Sequence, residues 1–397
     1  MFKARRFSVS RPLETIAEAA GKVPILGQTL EERQDWAVLL AKGAWADEKA
    51  GEPAQLWIRE DVFLTAKAIT LFIETAKGAS GDVYWRAKDR VGGFVEEISL
   101  GMKEPMLIWL KEPKNFQGTA EEFSEIEALP VDAKMQLVDI DVPKSQFGVD
   151  MIQLPLSDFI VVPTAHWSQL LWANLLSMGT FLWRDLVGSN PFVAVPKLLW
   201  AAMLSMSKDP RNVISKFKKE GKNCFIHPSA VVEASVLGDN VSIGANAVVR
   251  GCMIGDGVRV EDLAMVEFSV LSDDSVVQRQ AMVKFSILDN RSSVGGVVQM
   301  GVLGQGSTIK RGAYLMDMNF AGGAKISWNG KIQTAPLGLV GCCLGEETVI
   351  GLGVQVAAGR WIPPNRQIVA DPNVILQKIS GEKEGLYQVY KGGLKKL

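Results

Sequence analysis

Few residues in this chain are of the types that move protons, hold metals or attack carbonyls. There are two histidines, His166 and His227, among 397 residues. A general base working near neutrality is most often histidine, because its pKa lies there. His227 stands in Ile226-His227-Pro228-Ser229, where capping of the repeat that follows is the expected role. His166 precedes Trp167 in an uncharged tract, where a core histidine with satisfied hydrogen bonds is expected. The adjacent pair Cys342-Cys343 would point to opposite faces of a strand, so it reads as two small apolar residues rather than a redox couple. With Cys224 and Cys252 there are four cysteines and no CxxC spacing, which argues against a disulfide framework or zinc site and for a reducing cytoplasm. Glu233, Glu261, Asp262 and Glu267 fall in one stretch, but neighbouring Arg250 and Arg259 would lower their pKa values and make them poor bases. One glycine-bearing segment, 316–331, gathers Asp317, Asn319, Lys325, Trp328 and Lys331. It is a candidate ligand loop; the alternative is an Asn329-Gly330 hairpin used only for packing.

The elements that must position these residues are written in a repeat. Leu237, Ile254, Leu271 and Leu288 stand 17 apart, as do Val232, Val249, Val266 and Val283, and Ile226, Ile243, Val260, Val277 and Val294. Within each period the steps are six, five and six. That pattern places one aliphatic residue on each of three flat faces per coil, a parallel β-helix. Gly, Asn and Asp follow the inward position, as tight corners demand. After Val294 the period slips: Met300 is expected to keep register, and Leu303, Ile309 and Leu315 begin a shortened coil. Residues 316–338 read as an inserted loop, and the repeat resumes from Leu339 to Ile368. With the insertion set aside, division of 223–372 by the period predicts about seven coils.

Residues 1–158 read as α/β. Thr29 and Thr65 each cap a predicted helix, and Gln55–Ile58, Asp82–Ala87 and Met106–Leu110 read as strands. Residues 114–135 suggest a surface helix. The tract 159–206 carries Trp167, Trp172, Trp183 and Trp200, with 25 uncharged residues from Phe159 to Trp183. That is long enough to span a bilayer, but Pro163, His166, Gln169 and Asn174 lie within it, so a tract mostly buried between domains is expected and a membrane-surface contact is the alternative. The basic start Met1–Arg6 has no apolar run behind it and is not read as a secretory signal. A net charge of −1 argues against a nucleic-acid partner.

The period and the opening Ile226-His227-Pro228-Ser229-Ala230-Val231 resemble the left-handed parallel β-helix of the hexapeptide-repeat transferases. The first half resembles sugar-1-phosphate nucleotidyltransferases that carry such a helix. The likeness rests on Arg11-Pro12-Leu13 with Gly21-Lys22-Val23-Pro24-Ile25-Leu26, on Trp57–Thr65 with its Glu60-Asp61, and on Trp167–Leu176. The resemblance implies substrate contacts by Arg11, Lys22 and Asp61, with Asp61 also holding Mg2+. It further implies a homotrimer, with the Asp317, Asn319, Lys325 and Trp328 loop lining clefts between subunits. The sequence departs from that family at Phe7-Ser8-Val9-Ser10, which has no glycine, with Val9 at the phosphate-binding arginine position and Glu60 in place of glycine. The expected fold class is therefore an α/β nucleotidyltransferase-like domain (1–158), a Trp-rich, mostly helical connector (159–222), a left-handed parallel β-helix (223–372) and a tail (373–397). The expected function is a nucleotidyltransferase-like protein of nucleotide-sugar or cell-envelope glycan metabolism, catalytically impaired, with nucleotide or sugar phosphate as ligand. A hexapeptide acyltransferase and a non-enzymatic or membrane-associated scaffold are the alternatives.

Overall fold

The computed structural model describes residues 2–8, 22–88, 98–115, 120–132, 136–141, 151–156, 158–188, 190–207, 209–319, 323–379 and 387–396. β1 (Phe2–Phe7), β2 (Gly43–Trp45) and β3 (Ala54–Arg59), the last buried at Leu56 to Arg59 in succession, pair in parallel in the order β2-β1-β3. β4 (Val62–Leu64) follows β3 directly. β5 (Val83–Ala87), β6 (Leu107–Lys114) and β7 (Glu127–Val131) extend the sheet as β3-β6-β5-β7, with β6 antiparallel to both neighbours. Residues 114–135 thus hold a short helix, Ala120–Ser124, and a sheet strand. Two helices cover the sheet: α1 (Leu30–Leu40), closed by a full capping box between Thr29 and Glu32, and α2 (Ala66–Ala76), capped by Thr65. β8 (Val161–Pro163) pairs antiparallel with β4.

The Trp-rich tract 159–206 divides into two helices of opposite character. α3 (Trp167–Leu186) is buried along most of its first three turns, and Trp167, Leu170, Leu171 and Trp172 join one core with Val23, Ile25 and Leu30. α4 (Pro191–Ser205) is almost wholly outside the core, with Ala201 its one buried residue. The expectation of a mostly buried 159–206 is corrected here. An apolar, Trp-bearing composition marks two different environments, and only the first is interior. α5 (Pro210–Ile214) packs on α4.

From Lys218–Lys219 to Gln367–Ile368 the chain winds into three parallel sheets of eight, eight and seven strands. These fit a left-handed parallel β-helix, the fold in which each strand pairs with the strand one coil away. Val249, Val266 and Val283 stack in register, each fully buried. The recurring Gly-Asp has a packing reason. Oδ1 of Asp256 accepts the Asp239 N–H at 2.7 Å, and Oδ1 of Asp273 accepts that of Asp256 at 2.8 Å. A Cβ on Gly238 would lie 2.3 Å from that Asp256 oxygen, and one on Gly255 would lie 2.4 Å from Asp273, so glycine makes room for the next coil's carboxylate. Positive φ falls two residues later, at Asn240 (58°) and Gly257 (67°).

The period slips because one corner loses two residues. Val298, not Met300, pairs with Val283, and Met300 turns out of the series at φ 48°. Gly295-Gly296 makes the shortened corner, where a Cβ on Gly296 would meet the Ala313 carbonyl at 2.1 Å. Within the insertion, β9 (Lys325–Trp328) and β10 (Lys331–Thr334) form an antiparallel hairpin turned by Asn329-Gly330, both at positive φ. Ala324, Ile326 and Trp328 bury against the α3 core, so the hairpin fastens the α/β layer to the β-helix. The tail is not structureless: Tyr387–Tyr390 and Gly393–Lys396 pair as a second hairpin.

Candidate functional site

The candidate residues of the α/β layer meet different partners. Asp61 lies in the turn between β3 and β4, and the Arg59 guanidinium donates to its carboxylate, with both side chains buried. The turn is bound from every side. Gln34 Nε2 donates to the carbonyls of Arg59 (3.1 Å) and Val62 (2.8 Å), Thr164 N–H donates to the Asp61 carbonyl at 2.7 Å, and Arg59 reaches the Glu104 carbonyl at 3.0 Å. A fixed guanidinium beside the carboxylate is the wrong surrounding for a divalent cation, so these residues do not fit Mg2+. Among the described residues no group of three or more His, Cys, Asp or Glu is placed to hold a metal. Lys22 is exposed, 3.9 Å from Glu31, and Arg11 lies outside the described residues.

A cavity of about 1020 Å³ opens instead between α1, the start of α2 and the end of α3. Its wall includes Arg33, Trp36, Thr65, Lys67, Phe181, Trp183 and Arg184, and neither Lys22 nor Asp61 lines it. Two guanidiniums share one ring here: Arg33 stands 4.8 Å and Arg184 4.3 Å from the Phe181 centroid. Arg33 is held by the carbonyls of Ile25 (2.9 Å) and Leu26 (2.7 Å), and burial, then the neighbouring Arg184, pushes it down to about 10. It remains cationic at neutral pH. Lys67 pairs with Asp158 and Arg184 with Asp185. Three cations beside Trp36 and Trp183 suit a ligand with a phosphate and a flat or apolar portion. Sequence reading overlooked this set, because Arg33 and Lys67 look like ordinary helix surface; the signal was Phe181 and Arg184, one turn apart at the end of the uncharged tract.

Both histidines use the same local device. His166 Nδ1 lies 3.2 Å from the Ser168 N–H and 2.7 Å from its hydroxyl, and His227 Nδ1 lies 3.2 Å and 2.8 Å from the same groups of Ser229. The Ser229 hydroxyl accepts the Asn246 N–H at 3.0 Å, tying the first coil to the second. Burial holds His166 down at about 3, against an opposing backbone hydrogen bond at Ser327, so it is a neutral joint at physiological pH. Its ring stands edge-on to Trp328 at 5.4 Å.

The β-helix carboxylates form a ladder. Arg250 binds Glu233 at 2.8 Å and Glu267 at 3.4 Å, and Lys284 binds Glu267 at 2.9 Å. Each is a register partner of the next, so charge alternates up one face. Burial pushes the thiols of Cys252 and Cys342 up to about 12 and that of Cys343 well above its ordinary range, leaving no reactive thiolate among the three. In the insertion the Asp317 carbonyl accepts the Val340 N–H, Asn319 donates to the Gly323 carbonyl, Lys325 to Thr334, and Trp328 is buried inside its own chain. Burial raises the Asp317 carboxyl above its usual range.

Residues 221–251 match the family described as bacterial transferase hexapeptide (six repeats). Among solved structures, the chain is similar to a Bacillus cereus protein provisionally assigned as an acetyltransferase, at 22% identity over 38% of this chain and 76% of that one, with a TM-score of 0.16. No curated protein matches the chain. The hexapeptide match and the three stacked parallel sheets together support a hexapeptide-repeat β-helix.

Proposed function

We propose that this chain is a nucleotidyltransferase-like protein of nucleotide-sugar or cell-envelope glycan metabolism that binds a phosphorylated sugar or nucleotide without transferring it. The observation that carries this reading is the buried Arg59–Asp61 pair, which commits to structure the carboxylate that would hold the metal. Binding is assigned to the α1–α2–α3 cavity, where Arg33, Arg184 and Lys67 face the phosphate and Trp36 or Trp183 the base or sugar. The β-helix builds the oligomer, a homotrimer, and the hexapeptide match supports self-association.

A thermal-shift screen of nucleoside triphosphates, nucleotide sugars and sugar phosphates tests the binding, since a ligand of the folded state raises the melting temperature by mass action. The expected result is a shift with at least one phosphorylated ligand that needs no Mg2+ and is lost in Arg184→Glu. A chain mass by light scattering of three times 43.3 kDa is expected for the oligomer.

A further inference from the structure

Helix α4 is turned inside out. Its partly or fully buried positions, Ala194, Leu198, Ala201, Ala202 and Ser205, recur at helical spacing and are mostly small. Its large apolar side chains face away from the protein: Phe192 is 90% exposed, Leu199 67%, Trp200 60% and Met203 58%, with Met206 beyond the last turn at 94%. Water is a poor environment for that face. The helix carries one charge, Lys197, whose ammonium caps the carbonyl of Leu186 at the end of α3 at 3.1 Å. Fifteen residues rise only about 22 Å at 1.5 Å each, short of a hydrocarbon core. Among the described residues no helix is long and apolar enough to cross a membrane.

The chain leaving α4 supplies the second observation. Residues 208–222 contain six basic residues (Lys208, Arg211, Lys216, Lys218, Lys219 and Lys222) against Asp209 and Glu220, in a chain whose net charge is −1. A locally basic segment, six cationic against two acidic residues, thus lies directly behind the most exposed apolar helix. α5, within this stretch, packs on α4. An apolar face without acidic residues, followed by a basic segment, is complementary to a surface that is anionic outside and apolar beneath.

We propose that α4 lies in the interface of an anionic lipid membrane, with Phe192, Leu199, Trp200 and Met203 among the acyl chains and the basic segment 209–222 against the headgroups. The protein is then monotopic: the β-helix beyond its first strand stays in water and the α/β layer is held beside the membrane. This placement does not depend on what the cavity binds.

The test is flotation of the full chain with vesicles of phosphatidylcholine alone and of phosphatidylcholine with one quarter phosphatidylglycerol. Most of the wild-type protein is expected to float with the anionic vesicles at low salt, with at least a tenfold smaller fraction on the neutral ones. Phe192→Glu with Trp200→Glu changes only exposed positions; it is expected to keep the wild-type melting temperature and oligomeric mass and to stay at the bottom of the gradient. Wild-type protein that fails to float with either vesicle overturns the proposal. So does a double variant that floats as well as wild type, or one whose only change is a smaller oligomer, which would make the face a contact between copies of the chain.

Discussion

Arg59 and Asp61, two residues apart on either side of a tight turn, form an ion pair that solvent does not reach. The pair occupies the carboxylate that the proposed likeness to sugar-1-phosphate nucleotidyltransferases would assign to the metal. Gln34 and Thr164 bind the same turn through its carbonyls, so the strand before the turn and the strand after it are both held. A buried pair of this kind is a poor source of net stability, but breaking it leaves one charge stranded.

Asp61→Asn should therefore destabilise the α/β layer by about 3 kcal/mol or more, the usual cost of removing one partner from a buried pair. Urea unfolding in metal-free buffer measures it. A variant as stable as wild type without metal, but deprived of a Mg2+-induced stabilisation that wild type shows, would identify Asp61 as a metal ligand instead.

His166 gives the fold a pH dependence of definite sign. Its folded pKa is about 3 and its ordinary value 6.5, so below pH 6.5 the unfolded chain takes up the proton first. The stability it protects is complete above pH 6.5 and drains away as the pH falls toward 3. Asp289 acts oppositely: burial raises it from 3.8 to about 6, so its contribution is full below 3.8 and fades as the pH rises through 6. The displacement of His166 is the larger. Denaturation midpoints at pH 7.5 and 5 should fall further for wild type than for His166→Asn, which keeps a capping side chain. Equal falls in the two proteins would remove His166 from the account.

Val266 stacks between Val249 and Val283 with no exposed surface. Val266→Asp places a carboxylate in that stack without a partner and should abolish the folded β-helix, read as loss of the strand signal in circular dichroism. Val266→Ala should fold at a cost on the order of 2 kcal/mol, since it removes volume but adds no charge. An aspartate variant that melts with wild type would contradict the inward placement.

The β-helix was legible because its signal is long-range and redundant: three aliphatic series must agree at one spacing, and the stack of Val249, Val266 and Val283 follows from that alone. The corners were legible only in part. Glycine at Gly238 and Gly255 suggested only a tight corner, whereas the space is taken by Asp256 and Asp273 of the next coil, a contact that no single coil reveals. Met300 was misplaced because a two-residue deletion at Gly295-Gly296 preserves the apolar alternation on both sides. The capping threonines Thr29 and Thr65 were visible because capping is local. The cavity was not, because Arg33, Lys67 and Phe181 come from three helices and only tertiary packing brings them to one wall.

The central claim is binding without transfer, and pyrophosphate release measures it most directly. The full chain would be incubated with Mg2+, each nucleoside triphosphate that shifts its melting temperature, and a panel of sugar 1-phosphates. The account predicts no release above the uncatalysed background, with the triphosphate still bound. Release on the order of 1 s⁻¹, an ordinary enzyme rate, abolished by Asp61→Asn in a variant shown to be folded, would contradict it.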